Sequence, residues 1–307
     1  MALRGIRIAK VGVRFSLGPK VRQFDLPRLI PPSGIFAGFW LGPKLQILLM
    51  AKIDLGKSWD KVAKLWFKRW ESTFRRGFIW GPYGPLERDI KLLPALRGKR
   101  VLVLGCGSGP DVWWLAKNGA KVTGIDISKE QLAFTKERIK KAGLMANFIQ
   151  KDFDKLSATD FSKGSFDFVV SNYALQYVKN LPKLFKIVSY FLKARGKFIF
   201  SFDHPVLYAT YKSRRKVGGE WKSFKDFDYL NERTIYWYFR FEKKNVPAYS
   251  YHRTISTIFN SLVNSNFRVE KILEPKPYIH STDNYNKVFN LAKRLPFTII
   301  FISSRMK

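Results

Sequence analysis

From Lys99 onward the chain alternates short apolar runs with amphipathic stretches of helical period, and nothing else in it constrains the fold as much. "RVLVLG" precedes the helix-like "DVWWLAKNG", and "KVTGIDIS" precedes "KEQLAFTKERIKKAG". "ANFIQKDF" and "FDFVVSNYA" follow, then the helical "LPKLFKIVSYFLKARG" and the strand "KFIFSF". A continuous apolar run bounded by turns is what a parallel strand buried on both faces requires. Strands alternating with helices of this length form βαβ units, so the expected architecture is an α/β, doubly wound, Rossmann-like sheet. Gly119 and Gly143 are placed to end the first two helices, and Asn266 takes the same left-handed position after "SLVNS". Two late strands, "FRVEKILEP" and "FTIIFISS", flank a helical "NYNKVFNLAKRL".

Sheets of this kind bind ligands at the carboxyl ends of their strands. There the chain places Gly105, Gly107 and Gly109, a GxGxG loop between the first strand and the first helix. Glycine tolerates positive φ and lets a ligand lie against bare backbone. A dinucleotide fold would prefer GxGxxG, but the sixth position is Pro110, and no GKS or GKT follows to make a phosphate loop. Asp126, beside Ile127 at the end of the second strand, can accept both ribose hydroxyls of an adenosine, while Ser128 suits the cap of the next helix. After the third strand, Asp152 can accept from an adenine amino group and Phe153 can cover the ring. Cys106, between two of the glycines, reads as a small tolerated residue within the loop.

Composition narrows the classes. One cysteine and three histidines exclude a disulfide framework and leave no zinc site, so no metal is expected. The apolar stretch "IFAGFWLGPKLQILLM" is broken by Pro43 and Lys44 and falls short of a membrane span, and no leader pattern is evident, so a cytoplasmic protein is expected. The formal charge of +33 favours contact with polyanions, although the basic residues are scattered along the chain.

The chain divides into four texts. Residues 1–49 form an irregular basic extension in which Arg outnumbers Lys and Asn is absent. It reads as a polyanion-binding arm or as translation from a start placed too early. Val13-Arg14-Phe15 is encodable by GTTCGATTC, the text of a transfer-RNA T-arm, which favours a true start at Met50. Residues 50–98 form an N-terminal helical cap. In it Trp59, Val62, Ala63, Trp66, Phe67 and Trp70 share one helix face, Ser58 is a plausible N-cap, and "LERDIKLLPAL" reads as a second short helix. Trp80 and Tyr83 sit on the loop between the two helices, where binding residues concentrate. Residues 99–204 and 252–307 form the core, and 205–251 an aromatic, basic insert after strand 5.

In "VLVLGCGSG", "VTGIDIS", "FIQKDF" and "FDFVVSNYALQYV", taken in this order, the chain resembles the class I S-adenosylmethionine-dependent methyltransferases. The resemblance extends to a bacterial group of methyltransferase-domain proteins through "FIFSFDHP" and the text from Tyr251 to Pro275, and covers residues 80–307. It implies a seven-stranded sheet with a C-terminal antiparallel hairpin, S-adenosylmethionine as cofactor and S-adenosylhomocysteine as product. It implies a cofactor site of Gly105, Cys106, Gly107, Gly109, Asp126, Ile127, Asp152, Phe153, Asn172 and Tyr83. In that site the glycine loop faces the methionine moiety and Asn172 lines the sulfonium end. Family members often carry an acid where Val103 and Leu104 stand, so one ordering contact lacks its carboxylate here.

Methyl transfer from a sulfonium is an in-line displacement, served by proximity, alignment and exclusion of water. A general base matters when the acceptor enters protonated. His204 in "SFDHP" and His252 in "YHRT" are the candidates, with Tyr177 and Tyr173 placed to bind the acceptor and Arg253 to hold an anionic one. The insert is expected to cover the methyl end as a substrate lid. The reading is transfer to a small-molecule acceptor. The alternatives are RNA methylation, from the charge, and a regulator that binds S-adenosylmethionine without turnover.

Overall fold

The computed structural model describes residues 53–81, 84–206, 216–217, 220–221, 229–241, 244–276 and 295–307. The basic extension, Trp70's side chain, Tyr83, most of the insert and nearly all of the expected helix between the last two strands lie outside the described residues.

The expected sheet is present. Strands β1 (Arg100–Leu104), β2 (Lys121–Asp126), β3 (Ala146–Gln150), β4 (Phe166–Asn172) and β5 (Leu192–Asp203) are parallel. Two short strands, β6 (Lys216–Val217) and β7 (Glu220–Trp221), pair with each other, as do β8 (Thr234–Phe241) and β9 (Lys244–Tyr251). The last two, β10 (Phe267–Leu273) and β11 (Thr298–Arg305), complete the main sheet in the order β10-β11-β5-β4-β1-β2-β3. β11 runs antiparallel to both neighbours, which is the expected C-terminal hairpin.

Strand alternation sends side chains to two apolar layers. Leu102, Leu104, Val169, Phe198 and Phe200 face one side with Leu184 and Val188 of the helix Leu181–Phe191. Val101, Val103, Val170 and Ile199 face the other side with Leu115 and Leu132, from the helices Pro110–Lys117 and Lys129–Lys141. In chain order the helices are α1 (Leu55–Phe74), α2 (Glu87–Ile90), α3 (Pro110–Lys117), α4 (Lys129–Lys141), α5 (Leu181–Phe191) and α6 (Ile255–Val263). None of them is long and apolar enough to cross a membrane.

Three boundaries differ from the sequence expectation. α1 begins at Leu55 with Asp54 Oδ1 accepting the Lys57 N–H at 3.1 Å, so Asp54 fills the capping role. Ser58 instead donates its Oγ to the Pro247 carbonyl at 2.7 Å, fastening α1 to β9. α5 stops at Phe191 and "LKARG" joins β5, because Leu192 pairs with Phe166. α2 is a single turn, ended by Lys91 at φ 47°.

Candidate functional site

The loop from β1 to α3 is tied to β2 by its own backbone: the N–H groups of Gly105 and Cys106 both donate to the Ile125 carbonyl, at 2.8 and 3.1 Å. The glycines do different work. A β-carbon on Gly105 would stand 2.2 Å from that of Ala174, and one on Gly109 would stand 2.3 Å from Thr135 Cγ2. On Gly107 it would meet nothing within 4 Å. Gly105 and Gly109 are therefore glycine to admit neighbours, and Gly107 presents the open face that a ligand can approach.

Cys106 points the other way. Its Sγ sits under Gly124, and burial above all, then the charges of Asp126 and Asp111, raises the thiol well beyond its ordinary pKa. The side chain is packing, so only the Cys106 backbone belongs to the open loop.

Asp126 closes the loop from β2. Its Oδ2 accepts the Gly107 N–H at 2.8 Å and its Oδ1 the Ser128 N–H at 2.9 Å, which fixes both oxygens and leaves each able to accept again. Burial pushes its carboxyl up to about 6, against these amides. Ser128 caps α4 as expected, accepting the Gln131 N–H, and donates its Oγ to Asp60 Oδ1 at 2.6 Å. Asp60 also accepts the Glu130 N–H, so α1 is latched onto the turn that carries Asp126. Ile127 lies between that turn and Gly56 at the start of α1.

Asp152 and Phe153 follow β3. Asp152 Oδ1 caps a one-turn 3₁₀ helix by accepting the Asp154 N–H at 3.0 Å, and the Phe153 ring reaches toward Gly105. Asn172, at the end of β4, has its amide engaged on three sides. Nδ2 donates to the Ile79 carbonyl at 2.6 Å and to Asp111 Oδ2 at 3.1 Å, while Oδ1 accepts from Ser201 Oγ at 2.8 Å. It joins the cap, α3 and β5 beside the loop.

Asp111 was not legible as a site residue. In the sequence it is an acid in a helix's first turn, where the dipole favours it anyway. In the fold it is 5% exposed, and burial pushes its carboxyl up to about 7.

The candidates for proton transfer come apart. His204 is 5% exposed, with Nδ1 accepting the Val206 N–H at 3.1 Å and Nε2 paired to Glu274 Oε1 at 2.7 Å. Nδ1 accepts, so Nε2 carries the proton and donates, and burial lowers the ring's pKa despite Glu274. Neither nitrogen offers a lone pair to a substrate, which corrects the general-base expectation: His204 clasps the turn after β5. His252 is buried with Nε2 donating to the Tyr229 carbonyl at 2.9 Å, binding the insert's stem. Its neighbour Arg253 donates to the Lys179 carbonyl at 3.0 Å.

Tyr177 stands edge-on to Trp59 at 5.8 Å between ring centres and beside Trp237 at 6.4 Å. Burial and the charge of Asp203 raise its phenol further, so the hydroxyl stays protonated. Tyr173 holds φ 56° and donates its hydroxyl to the Phe297 carbonyl at 2.8 Å, with its ring against Gly81. Trp80 is buried, donating Nε1 to Glu87 Oε2 at 2.7 Å, and belongs to the core.

The hairpin β8–β9 packs on α1 through Trp59 and Phe239, 4.5 Å apart. Burial first, then other charges including Asp152 and Asp154, raise the phenols of Tyr249 and Tyr251. The described hairpin of the insert therefore brings Tyr249 and Tyr251 within the electrostatic reach of Asp152 and Asp154, which follow β3.

Residues 96–231 match the family described as a methyltransferase domain. An uncharacterized protein of Haemophilus influenzae is 30% identical over 229 residues, covering 70% of this chain and 84% of its own length. The ubiquinone biosynthesis O-methyltransferase of Nitrosococcus oceani is 35% identical over 118 residues, which are 38% of this chain and 49% of that relative, so the match spans about half its length. A solved S-adenosylmethionine-dependent methyltransferase from Mesorhizobium loti superposes with a TM-score of 0.55 at 27% identity, over 70% of this chain and 95% of that one.

Proposed function

We propose that this chain, which belongs to the class I S-adenosylmethionine-dependent methyltransferases, methylates a small organic acceptor in the cytoplasm, in keeping with its lone, buried Cys106. The observation that carries the small-molecule reading is the roof near the strand ends. α1 and the hairpin β8–β9 meet in an aromatic seam of Trp59, Trp66, Tyr177, Trp237 and Phe239. Rings of this kind shed water and suit a compact apolar acceptor, with Arg69 set over Phe241 at the edge of the seam. The relative named as a ubiquinone biosynthesis O-methyltransferase supports an oxygen acceptor.

Fit to the cofactor rests on two features of this chain: the bare face of Gly107 and the two fixed, buried oxygens of Asp126. Asp126 would take the ribose hydroxyls, and Asp152 with Phe153 the adenine. When bound, S-adenosylmethionine would supply an electrophilic methyl carbon to the acceptor. The chain's part is to hold the ends in line and keep water out, with the Tyr177 hydroxyl donating a hydrogen bond that orients an acceptor oxygen entering already deprotonated.

The test uses S-adenosylmethionine labelled on its methyl group, with a small-molecule extract and with total RNA as separate acceptors. Label in the organic-soluble fraction supports the reading. Label in ribonuclease-sensitive material, weakened by salt, would replace it with RNA methylation. Cofactor binding with no labelled product in either arm would make the protein a regulator.

A further inference from the structure

Asp126 is held from outside its own strand. Its Oδ1 accepts the Ser128 N–H at 2.9 Å, and Ser128, fully buried, has its hydroxyl committed twice. That hydroxyl accepts the Gln131 N–H at 3.1 Å and donates to Asp60 Oδ1 at 2.6 Å. Asp60 comes from α1, 68 residues earlier, and the same oxygen accepts the Glu130 N–H at 3.1 Å. Ser128 already caps α4, so what Asp60 adds is a tie between α1 and the turn that carries Asp126. α1 reaches the glycine loop by a second route: the Arg138 guanidinium lies over the Phe67 ring at 4.7 Å and donates to the Ser108 carbonyl at 2.8 Å. One residue before Asp60, Trp59 packs on Tyr177 and Phe239 in the aromatic roof. One helix therefore touches both cofactor turns and the roof.

We propose that Asp60 is a positioning residue for the cofactor site. Acting from α1 through Ser128, it fixes the Asp126 carboxylate, so that docking of α1 and binding of S-adenosylmethionine are one linked event. The proposal rests on the methyltransferase reading. The groups that face Asp126 are the amides of Gly107, Ile127 and Ser128, the Cys106 thiol, which burial keeps neutral, and Asp60. Of these only Asp60 is charged, and its charge raises the Asp126 carboxyl further. The rival is a purely structural tie between α1 and α4, which predicts lost stability with ligand affinity and its pH dependence unchanged.

Calorimetry of S-adenosylhomocysteine on the full chain separates them. Asp60→Ala removes the acceptor of Ser128 and should weaken binding about tenfold, the smaller worth of a charge-assisted hydrogen bond. Asp60→Asn keeps an Oδ1 acceptor for both donors and removes only the charge. Its affinity should stay within about threefold of wild type above neutral pH, while the acidic limb of binding, set by ionisation of Asp126, moves to lower pH. Asp111 is common to all three proteins and cancels in the comparison. Linkage is reciprocal, so the ligand should slow hydrogen exchange of the α1 amides in wild type and lose that effect in Asp60→Ala. Wild-type affinity in folded Asp60→Ala, an acidic limb that does not move in Asp60→Asn, or α1 exchange indifferent to ligand would overturn the proposal. Should Asp60→Ala fail to fold, the limb of Asp60→Asn decides. A folded wild-type protein that binds no S-adenosylhomocysteine would overturn the methyltransferase reading itself.

Discussion

Replacing Asp111 by Asn should make the cofactor-free protein more stable at alkaline pH. The carboxyl sits at about 7 in the fold against 3.8 ordinarily, because burial disfavours its charge. An acid whose folded pKa is raised keeps its proton in the folded chain after the unfolded chain has lost it. Stability therefore falls as pH rises from about 4 to 7, and the full penalty stands above 7. At about 1.4 kcal/mol for each tenfold, that penalty is on the order of 4 kcal/mol. Asn retains the acceptor for Asn172 Nδ2 and has no charge to bury, so the gap between variant and wild type should be small near pH 4 and open to several kcal/mol at pH 8. Asp126 and Glu87, also raised by burial, titrate in both proteins and cancel in the difference. Urea unfolding of the two proteins at both pH values, without ligand, reads this directly. A variant no more stable than wild type at pH 8 would show that Asp111 is well solvated or paired, and would refute the argument.

The glycine loop predicts a contrast. Gly105→Ala drives a β-carbon into Ala174 at φ 75° and should destabilise by several kcal/mol in thermal melts, whereas Gly107→Ala costs about 1–2 kcal/mol of backbone strain but loses cofactor affinity. Affinity for S-adenosylhomocysteine should fall as pH drops through about 6, because ribose hydroxyls donate to the ionised form of Asp126; a flat titration from pH 5 to 8 would remove that carboxylate from the ribose. His204→Asn should shift the melting temperature while leaving the acidic limb of the pH–rate profile in place, since both ring nitrogens are already committed; loss of that limb would restore it as a base.

The sheet could be read from the chain because parallel strands buried on both faces leave unbroken apolar text, and the helix stops at Gly119 and Gly143 are local chemistry. Asp126 was legible for the same reason: its spacing from Gly105 and its place at a strand end are sequence facts. Asp111 was hidden, because burial comes from the packing of α3 against β4 and leaves no mark beside a proline in a first turn. His204 misled in the opposite sense. A histidine at a strand end invites a catalytic role, but Glu274, seventy residues away, and the backbone of Val206 occupy it. Ser58 gave way to Asp54 as the cap because its hydroxyl is claimed by Pro247, a tertiary contact no local pattern announces.

The central claim is that Asp126 and the Gly107 face hold S-adenosylmethionine. Isothermal calorimetry of S-adenosylmethionine with the wild-type protein beside Asp126→Ala tests it most directly, with folding of both checked by circular dichroism. The account predicts micromolar binding that weakens at least tenfold in the variant. No heat from folded wild-type protein, or equal affinity in the two, would contradict it.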